Sequence, residues 1–538
     1  MKFLDRRLAV VIALACALSA TAGAVFAASA PSEPISEHQV DDTVTRAMAA
    51  FQTPGVAVGI VKDGKVVMAK GYGDRRLGDP GVVNAATVFQ IGSNTKAFTA
   101  AALSILVDEG KIKWDDRVID YLPDFRMYDP YVTRELTIRD LLTHRSGLGE
   151  GEGDLMFYPA TDFTRAEIVH GLRYLKPYSS FRAKYDYDNV LYIVAGQIIP
   201  AVTGQSWEDF IQARILSPLG MAGCAPDYQR IPDRTNLASP HQVVDGKLTV
   251  IPVEHLDVIG PAGTINCNVN GMNTWLLTQL AAGKSPTGLQ LFSSDRSEEM
   301  WSQVTPEPLD PALAALTGAY FKAYGLGWEI TDQFGYERIF HTGGVPGMTT
   351  WVAMIPQLNL GVVVLTNQGS GFAMEAIGNQ ILDAYVGAPK RDWVGTVSQV
   401  AQARQDDAQA ANDKVASTLV TAPKPPLPLE VYEGHYADAW RGEAIVRREG
   451  GRLVLKITRT QDLEGALIPF SGDIFVVRWN RRGLEADAYV RFTPKFGGGI
   501  EDMTLQAISP ETDTSFDFQD LDFVKLGAAA DGPAGTRQ

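Results

Sequence analysis

Ser93 and Lys96 stand three residues apart in the stretch VFQIGSNTKAFTAAALSILVDEG (88–110). The stretch begins as a short apolar strand and continues as a predicted helix, from about Ser93 to Glu109, that is apolar nearly all round. Residues i and i+3 share a helix face, so the hydroxyl and the amine can meet. Burial and the positive end of the helix dipole both lower the pKa of Lys96. A neutral lysine can take the proton of a serine, which predicts a serine nucleophile whose own N–H helps to bind an oxyanion.

A second motif lies about ninety residues further along the chain. A Ser-x-x-Lys spacing occurs by chance in many chains, where the serine caps a helix and the lysine is exposed. The stretch KYDYDNVLYIVAG (184–196) places Tyr187 and Asn189 just before an apolar helix. A phenol there can relay a proton, and an amide can orient a substrate amide.

A third motif ends a predicted strand. The stretch FHTGGVPG (340–347) contains His341, Thr342 and Gly343, and its glycines would let a substrate backbone approach the sheet edge. Each motif by itself could be a cap or a turn. The order S-x-x-K, Y-x-N, H-T-G is much harder to reach by chance.

The elements around these motifs predict an α/β (α+β) domain. The stretch GVAVGIVKDGKVVMAKGY (55–72) has two β-rich runs around an Asp-Gly turn, and further strand-like runs cover 324–366. A helix is predicted at 372–386, and the region between the two sets of strands is helical. We therefore expect an antiparallel sheet assembled from both ends of this region, flanked by helices, plus an all-helical subdomain.

The composition changes after this domain. Residues 395–418 are rich in Ala, Gln and Asp, and PKPPLP (423–428) is a stiff extended spacer. Short alternating segments separated by turn residues follow over 431–526, which predicts a small β-barrel or sandwich. It contributes none of the motifs, so we expect it to act on substrate access rather than on chemistry.

The N-terminus has the pattern of a signal peptide. Lys2, Arg6 and Arg7 precede an apolar segment (8–27), and small residues allow cleavage after Ala27. An uncleaved anchor is the main alternative, because the apolar segment is just long enough to span a bilayer. Lipid attachment at Cys16 fits poorly. Export is expected, to the periplasm or out of the cell.

Charge and composition exclude some classes of function. The formal net charge is -15, which offers no basic surface for nucleic acid. The sequence contains no HExxH or CxxC motif, so we expect no metal and no other cofactor. Cys224 and Cys267 could pair in an exported protein or could be two small buried residues. The absence of a G-x-S-x-G elbow excludes an α/β-hydrolase.

The three motifs together resemble the serine β-lactamase and penicillin-binding protein superfamily, nearest its class C-like branch, in which D-aminopeptidases and esterases use Y-x-N. Over about 40–390 the resemblance is supported by LTIRDLLTHRSGL, PLGM, PAGTINCNVNGMNTW and YGLGW. The C-terminal module is similar to the lipocalin-like barrel that some of these hydrolases carry. The predicted division is a signal peptide (1–27), a β-lactamase-like serine hydrolase domain (28–390), a helical and Pro-rich linker (391–429), a lipocalin-like barrel (430–526) and a disordered tail (527–538).

The resemblance implies a role for each site residue. Ser93 would be the nucleophile and Lys96 its base, and Tyr187 would carry the proton to the leaving group. Asn189 would bind the acyl-side amide. The remaining substrate contacts would come from the third motif, in which the N–H of Gly344 completes the oxyanion hole with that of Ser93; its substrate-binding residues would be His341, Thr342 and Gly343.

The third motif departs from the β-lactamase pattern, because His341 stands where those enzymes have lysine. A lysine offers a substrate carboxylate a permanent charge, whereas histidine is mostly neutral at pH 7. We therefore expect poor β-lactamase activity. His341→Lys should increase penicillin acylation relative to acylation by an uncharged ester. In wild type the same ratio should rise as pH falls through the pKa of His341. The alternative is that His341 only packs at the strand end. The loop PAGTINC (261–267) also lacks the second glycine and the serine that are common in the family, which leaves its substrate contacts open.

Three functions compete at this stage. The first is an exported serine peptidase or amidohydrolase acting on short peptides that contain D-residues, as D-aminopeptidases and carboxypeptidases do. The second is a carboxylesterase on the same scaffold, or a weak β-lactamase. The third is an inactive protein that binds penicillin or peptides, which the complete set of motifs disfavours. The expected partner is a small-molecule or short-peptide substrate, with a membrane only if the N-terminal segment is uncleaved; the oligomeric state stays open.

Overall fold

The computed structural model describes residues 35–420 and 424–526. The predicted signal peptide and C-terminal tail lie outside these residues. The α-helices are α1 Glu37–Phe51, α2 Thr95–Asp108, α3 Val118–Tyr121, α4 Pro130–Glu135, α5 Ile138–Leu141, α6 Arg165–Gly171, α7 Val190–Thr203, α8 Trp207–Ile211, α9 Gly260–Gly263, α10 Val269–Leu280, α11 Ser294–Met300, α12 Pro311–Thr317, α13 Phe372–Val386, α14 Trp393–Val420 and α15 Leu429–Tyr432. The strands are β1 Gly55–Lys62, β2 Lys65–Gly73, β3 Phe89–Gln90, β4 His241–Val244, β5 Lys247–Val250, β6 Asn266–Cys267, β7 Thr305–Pro306, β8 Lys322–Tyr324, β9 Glu329–Gln333, β10 Tyr336–Val345, β11 Met348–Ile355, β12 Leu360–Thr366, β13 Gly434–Asp438, β14 Gly442–Glu449, β15 Arg452–Ile457, β16 Glu464–Ser471, β17 Ile474–Trp479, β18 Ala488–Pro494, β19 Ile500–Ala507 and β20 Phe523–Lys525.

The main sheet is antiparallel, with strand order β2-β1-β12-β11-β10-β9-β8-β7. The β1–β2 hairpin turns at Asp63 and Gly64, whose φ angles of 52° and 75° suit an Asp-Gly pair. Strand β1 then pairs with β12, with Val56 opposite Thr366. This confirms that the sheet is assembled from both ends of the domain.

Helices cover both faces of the sheet. In β1, Val56, Val58 and Ile60 pack in one core with α1 and α13. The alternate residues Ala57 and Val61 pack in a second core with α2, α7 and α10. Successive side chains of a strand point to opposite faces, so a strand covered on both sides is apolar throughout.

The second core belongs mostly to a helical subdomain built around α2 and α7. Within it, Phe98 of α2 stacks on Trp275 of α10 with ring centroids 4.0 Å apart. Cys224 and Cys267 form a disulfide, which decides the alternative that the sequence left open. Cys267 also lies opposite Phe89 in the short β3–β6 ladder. The disulfide therefore braces the strand that leads into Ser93.

Strands β13–β20 form a closed barrel in sequence order. This confirms the barrel and excludes the sandwich. An eight-stranded barrel has an interior just wide enough for side chains to fill. Here the aromatic rings of Tyr432, Tyr436, Phe475 and Phe492 contact one another in that interior.

One long helix, α14, occupies most of the predicted linker. It packs along α13, and the indole of Trp393 donates a hydrogen bond to Asp383 Oδ2 at 2.6 Å. Over residues 35–420 and 424–526, no helix combines the length and the apolar character needed to cross a membrane.

Candidate active site

Ser93 lies in a short 3-10 turn, Gly92–Asn94, and α2 begins at Thr95 rather than at Ser93. The tighter turn depends on Gly92, which has a φ of 54°. A Cβ at this position would lie 2.7 Å from the backbone nitrogen of Gly344, closer than real contacts allow. Glycine thus lets the turn press against β10 and brings the N–H of Gly344 beside Ser93.

Polar side chains fix this turn to the sheet. The hydroxyl of Thr350, in β11, donates to the carbonyl of Ile91 at 2.8 Å. The amide of Asn94 in turn donates to the Thr350 hydroxyl, also at 2.8 Å. A Cβ at Gly343 would lie 2.0 Å from the Ile91 carbonyl oxygen, so the glycine of the third motif is needed for this close approach. The nucleophile candidate is therefore held by the strands rather than by its own helix alone.

The amine of Lys96 is fully buried and has three oxygen atoms within hydrogen-bond distance. Its Nζ lies 3.1 Å from Ser93 Oγ, 2.7 Å from Asn189 Oδ1 and 3.3 Å from the carbonyl oxygen of Ala262. A neutral amine has two N–H groups and one lone pair. The amide and carbonyl oxygens can only accept, so they take the two N–H groups, and the lone pair is left for the Ser93 hydroxyl.

Burial lowers the pKa of Lys96 to about 7, against the opposing attraction of the Asp154 and Asp188 carboxyls. The lowered pKa of Lys96 has the direction that was predicted from the sequence. Near neutral pH a large fraction of Lys96 is neutral, which is the form that can accept a proton from Ser93.

Tyr187 lies beside both Ser93 and Lys96. Its ring centroid is 4.6 Å from the Lys96 amine, and its phenol hydrogen-bonds with the Ser93 hydroxyl. Desolvation of the phenol raises the pKa of Tyr187 well above its ordinary value. Tyr187 therefore stays protonated at neutral pH and suits a proton donor better than a base. Tyr187 lines the cleft next to Ser93, whereas the nearby Tyr185 does not.

Asn189 precedes α7 and does not cap that helix with its side chain. Instead its Oδ1 receives the Lys96 bond, and its Nδ2 donates to Asp154 Oδ2 at 2.7 Å. Asp154 is a site residue that the sequence analysis missed. It is 1% exposed, and burial raises its pKa to about 8. Its neighbourhood, GEGDLMF, matches no motif that could have singled it out.

The structure does not place the His341 side chain in the cleft. The ring is 1% exposed; Nδ1 lies 2.6 Å from the Thr342 carbonyl oxygen and Nε2 lies 2.8 Å from the Tyr324 hydroxyl. The carbonyl can only accept, so Nδ1 carries the proton and Nε2 accepts from the phenol. Burial lowers the pKa of His341 to about 4. The geometry therefore corrects the expectation of a direct substrate contact and favours the packing alternative.

The other residues of the third motif lie in different places around the Ser93 turn. Gly343 packs under the Ser93 turn, and Thr342 supplies the carbonyl that holds His341. Gly344 is exposed and lines the cleft together with Ser93. Ser93 and Gly344, whose N–H groups are the predicted oxyanion pair, therefore both lie at the surface of the cleft.

A cleft of about 380 Å³ opens in front of Ser93. Its floor and one wall come from the catalytic domain, including Tyr187, Asn189, Ala262 and Gly344. The opposite wall belongs to the barrel: Leu484, Glu485, Glu511, Asp513, Thr514 and Ser515. The sequence could not indicate this wall, because its residues carry no motif and lie more than 120 positions beyond the third one.

The cleft is acidic. Asp154, Glu485, Glu511 and Asp513 line it, and none of its lining residues in the described parts of the chain is a lysine or an arginine. Lys96 is sealed behind Ser93, and its pKa of about 7 leaves it at most partly charged. An anionic substrate group would meet carboxyl groups here, whereas a cation would be attracted.

Comparison with known proteins identifies both modules. Residues 40–385 match the Beta-lactamase family, and residues 420–525 match a domain of unknown function, DUF3471. An "Unguisins hydrolase ungD'" of Aspergillus campestris is 30% identical over 83% of this chain and 84% of its own length. "Protein flp" of Staphylococcus aureus is 25% identical over 65% of this chain and 67% of its own.

Solved structures share the fold. The octameric penicillin-binding protein homologue from Pyrococcus abyssi superposes with a TM-score of 0.59 at 22% identity, over 91% of this chain and all of its own. SurE superposes with a TM-score of 0.53 at 18% identity, over 91% of this chain and 99% of its own. With a sequence match that spans most of the chain and an antiparallel sheet flanked by helices, this chain belongs to the β-lactamase family, which includes serine hydrolases.

Proposed function

We propose that this protein is a serine hydrolase that forms an acyl-enzyme on Ser93 and hydrolyses amide bonds of short peptides, including peptides that contain D-residues. The observation that carries the proposal is the arrangement of the Lys96 amine, whose N–H groups have acceptors in Asn189 and Ala262 and whose lone pair is left for Ser93. Few structural roles need a buried lysine in its neutral form.

The reaction would proceed in two steps. Lys96 takes the Ser93 proton as Oγ attacks the substrate carbonyl, and the N–H groups of Ser93 and Gly344 stabilise the oxyanion. Tyr187, protonated because of its raised pKa, gives a proton to the leaving amine as the C–N bond breaks. Tyr187 then recovers a proton from the adjacent Lys96 ammonium, which returns both groups to their starting forms. Water then attacks the acyl-enzyme, with the same groups taking its proton and returning one to Ser93.

The charge of the cleft favours one class of peptide. Glu485, Glu511 and Asp513 line it together with Asp154, whose pKa of about 8 leaves it mostly uncharged at neutral pH. No lysine or arginine lines it in the described residues, so a free amino group fits and a free carboxylate does not. This supports removal of residues from an amino end over a carboxypeptidase or β-lactamase activity, both of which must hold a carboxylate. A volume of about 380 Å³ suits a few residues at a time.

Two comparisons support the choice of substrates to test. A relative at 30% identity is named as a hydrolase of unguisins. SurE, which shares the fold, has also been crystallised with D-Leu. For location, we propose export to the periplasm or the outside of the cell, supported by the signal-peptide pattern and by the Cys224–Cys267 disulfide.

The decisive experiment has two parts. Mass spectrometry after exposure to a fluorophosphonate should show one adduct, on Ser93, which is absent from Ser93→Ala. Turnover should then be compared for D- and L-alanyl amides with free and acetylated amino groups. We expect the free D-amide to be preferred to its acetylated form. An unlabelled Ser93, or turnover retained in Ser93→Ala, would refute the proposal, and a preference for free carboxylates would refute the assigned polarity.

A further inference from the structure

One of the barrel segments that line the cleft, residues 508–517, follows β19 and is called the barrel loop below. Within it, the Ser515 hydroxyl donates a hydrogen bond to Asp154 Oδ2 at 2.9 Å. The same carboxyl oxygen accepts the bond from Asn189, whose other amide atom accepts from Lys96. A continuous chain of hydrogen bonds therefore joins the barrel to the amine beside Ser93.

The barrel loop also holds the backbone around Asp154. The buried carboxyl group of Asp517 accepts hydrogen bonds from the N–H of Gly153 at 2.6 Å and from the N–H of Leu155 at 3.2 Å. A Cβ at Gly151 would lie 2.4 Å from the Thr514 carbonyl oxygen, so only glycine lets the two backbones come this close. The barrel loop thus holds Asp154 from both sides of its backbone and by its side chain.

Further contacts fix the barrel in this position. The Thr460 hydroxyl donates to the Ala160 carbonyl at 2.9 Å. Arg459 pairs with Asp162 at 2.6 Å and with Glu167 at 2.9 Å. These contacts lie just beyond Asp154 along the chain, so the segment that carries Asp154 is the surface on which the barrel docks.

We propose that Asp154 is a positioning residue for Asn189 and Lys96, and that the barrel loop holds it in place, so that the docked barrel is part of the catalytic centre. The inference rests on the proposed function, because it assigns Lys96 as the base. It replaces the expectation that the barrel acts on access alone. Activity would then depend on the barrel even though all three sequence motifs lie in the catalytic domain.

The charges around Asp154 are consistent with this role. Lys96 faces it from α2, Asp188 lies near the amine, and Asp513 and Asp517 face it from the barrel loop. Burial raises the pKa of Asp154 to about 8, near that of Lys96, so the carboxyl and the amine titrate over the same pH range. The ionised form of Asp154 raises the pKa of Lys96. Among the described residues the Oδ1 of Asp154 has no hydrogen-bond partner, which is less costly for a neutral carboxyl than for an ion.

The test uses full-length variants and probes too small to need the barrel wall. Rates of Ser93 labelling by a small fluorophosphonate, and kcat and KM for p-nitrophenyl acetate, should be measured for Ser515→Ala, Asp154→Ala and the double variant. Loss of one hydrogen bond predicts a decrease in kcat of about fivefold for Ser515→Ala and more for Asp154→Ala, with KM little changed. Because Ser515 acts through Asp154, the double variant should match Asp154→Ala.

Asp154→Asn gives a separate readout. The amide oxygen can still accept from Asn189, so labelling at high pH should stay within about threefold of wild type. The ionised form of Asp154 raises the pKa of Lys96, so its removal should move the midpoint of the labelling rate to lower pH. A purely structural role of Asp154 would leave that midpoint unchanged. This variant serves as the test if Asp154→Ala does not fold.

Ser471→Ala, an exposed serine at the end of β16, is the matched control and should equal wild type. The inference is overturned if Ser515→Ala equals wild type with both the fluorophosphonate and the ester. It is also overturned if Ser515→Ala lowers kcat by the same factor in wild type and in Asp154→Ala. A third contrary result would be an Asp154→Asn variant whose labelling rate has the same pH midpoint as wild type. Each of these results would occur with Ser93 still labelled in wild type. Failure of the proposed function differs from them, because then wild-type Ser93 is not labelled at all.

Discussion

The Lys96 amine lies 3.1 Å from the Ser93 hydroxyl oxygen, in a position from which protein packing excludes solvent. Its other two hydrogen-bond neighbours, Asn189 and Ala262, present oxygens. The three oxygens can accept the three N–H groups of an ammonium ion, or two N–H groups of a neutral amine whose lone pair then faces Ser93. Burial favours the neutral form and lowers the pKa of Lys96 to about 7. This geometry would allow the proposed proton transfer from Ser93 without any rearrangement of the amine.

Ser93→Ala should abolish turnover of every substrate without unfolding the protein. The serine side chain makes no helix-capping hydrogen bond, so we expect a loss of at most about 1–2 kcal/mol in the free energy of unfolding. Turnover of an activated ester and a thermal melt would check this. Activity within tenfold of wild type would contradict the assignment of Ser93 as the nucleophile.

The acylation rate should rise with pH to a plateau, with a midpoint near the Lys96 pKa of about 7. Only neutral Lys96 accepts the proton, so the rate should fall about tenfold per unit below the midpoint. Stopped-flow labelling from pH 5.5 to 9 measures it. Lys96→Met should remove the pH-dependent step, while Lys65→Met, at an exposed position, should not. A rate that still rises about tenfold per unit at pH 9 would mean that burial does not perturb the pKa of Lys96.

Tyr187→Phe should separate amides from activated esters. The leaving amine needs a proton and nitrophenolate does not, so we expect a loss of about 100-fold on an anilide and less than about fivefold on a nitrophenyl ester. The control is Tyr185→Phe, since Tyr185 lies outside the cleft lining. Equal losses on both substrates would indicate a role in positioning Ser93 instead.

The ratio of penicillin to ester acylation should stay flat between pH 5.5 and 7. His341 has its pKa lowered to about 4, so no histidine charge appears in that range. Both ring nitrogens are also engaged by Tyr324 and Thr342. Initial rates for penicillin and a neutral ester would measure the ratio. A rise on acidification would restore His341 as a contact for the substrate carboxylate.

Removing the disulfide should destabilise the protein and leave the site chemistry in place. Cys224 and Cys267 are 43 residues apart, and closing a loop of this length contributes about 2–4 kcal/mol to the free energy of unfolding. Denaturant titration of the double alanine variant measures this. Reduction of wild type should give the same shift. An unchanged midpoint would show that the β3–β6 ladder is held without the disulfide.

Much of the fold followed from local pattern. The hairpin was predicted from alternating apolar runs around Asp63 and Gly64, and the structure has it at that turn. The predicted start of α2 at Ser93 was less accurate. Close packing of Gly92 against β10 tightens this part of the chain into a 3-10 turn, and the α-helix begins after it. That packing depends on a strand 250 residues further on, which no local pattern reports.

The candidate site was predicted only in part, again because a local pattern does not report contacts between distant segments. Ser93, Lys96, Tyr187 and Asn189 were recognised because each motif keeps its spacing within one turn of chain, and the structure brings all four together. His341 was assigned a substrate contact from its place in a motif. The direction of its ring depends instead on Tyr324, from the next strand but one in the sheet.

The sequence by itself predicted the chemistry of the nucleophile and determined the types of the two modules, because residue spacing and apolar periodicity act over a few positions. Only the tertiary structure decided what surrounds that chemistry. Asp154 and Ser515 are 361 positions apart and meet because the barrel docks on the segment that carries Asp154. The acidity of the cleft likewise arises from carboxyl groups of two domains. Such contacts depend on how distant elements pack, and a docked surface leaves no periodic trace in either segment.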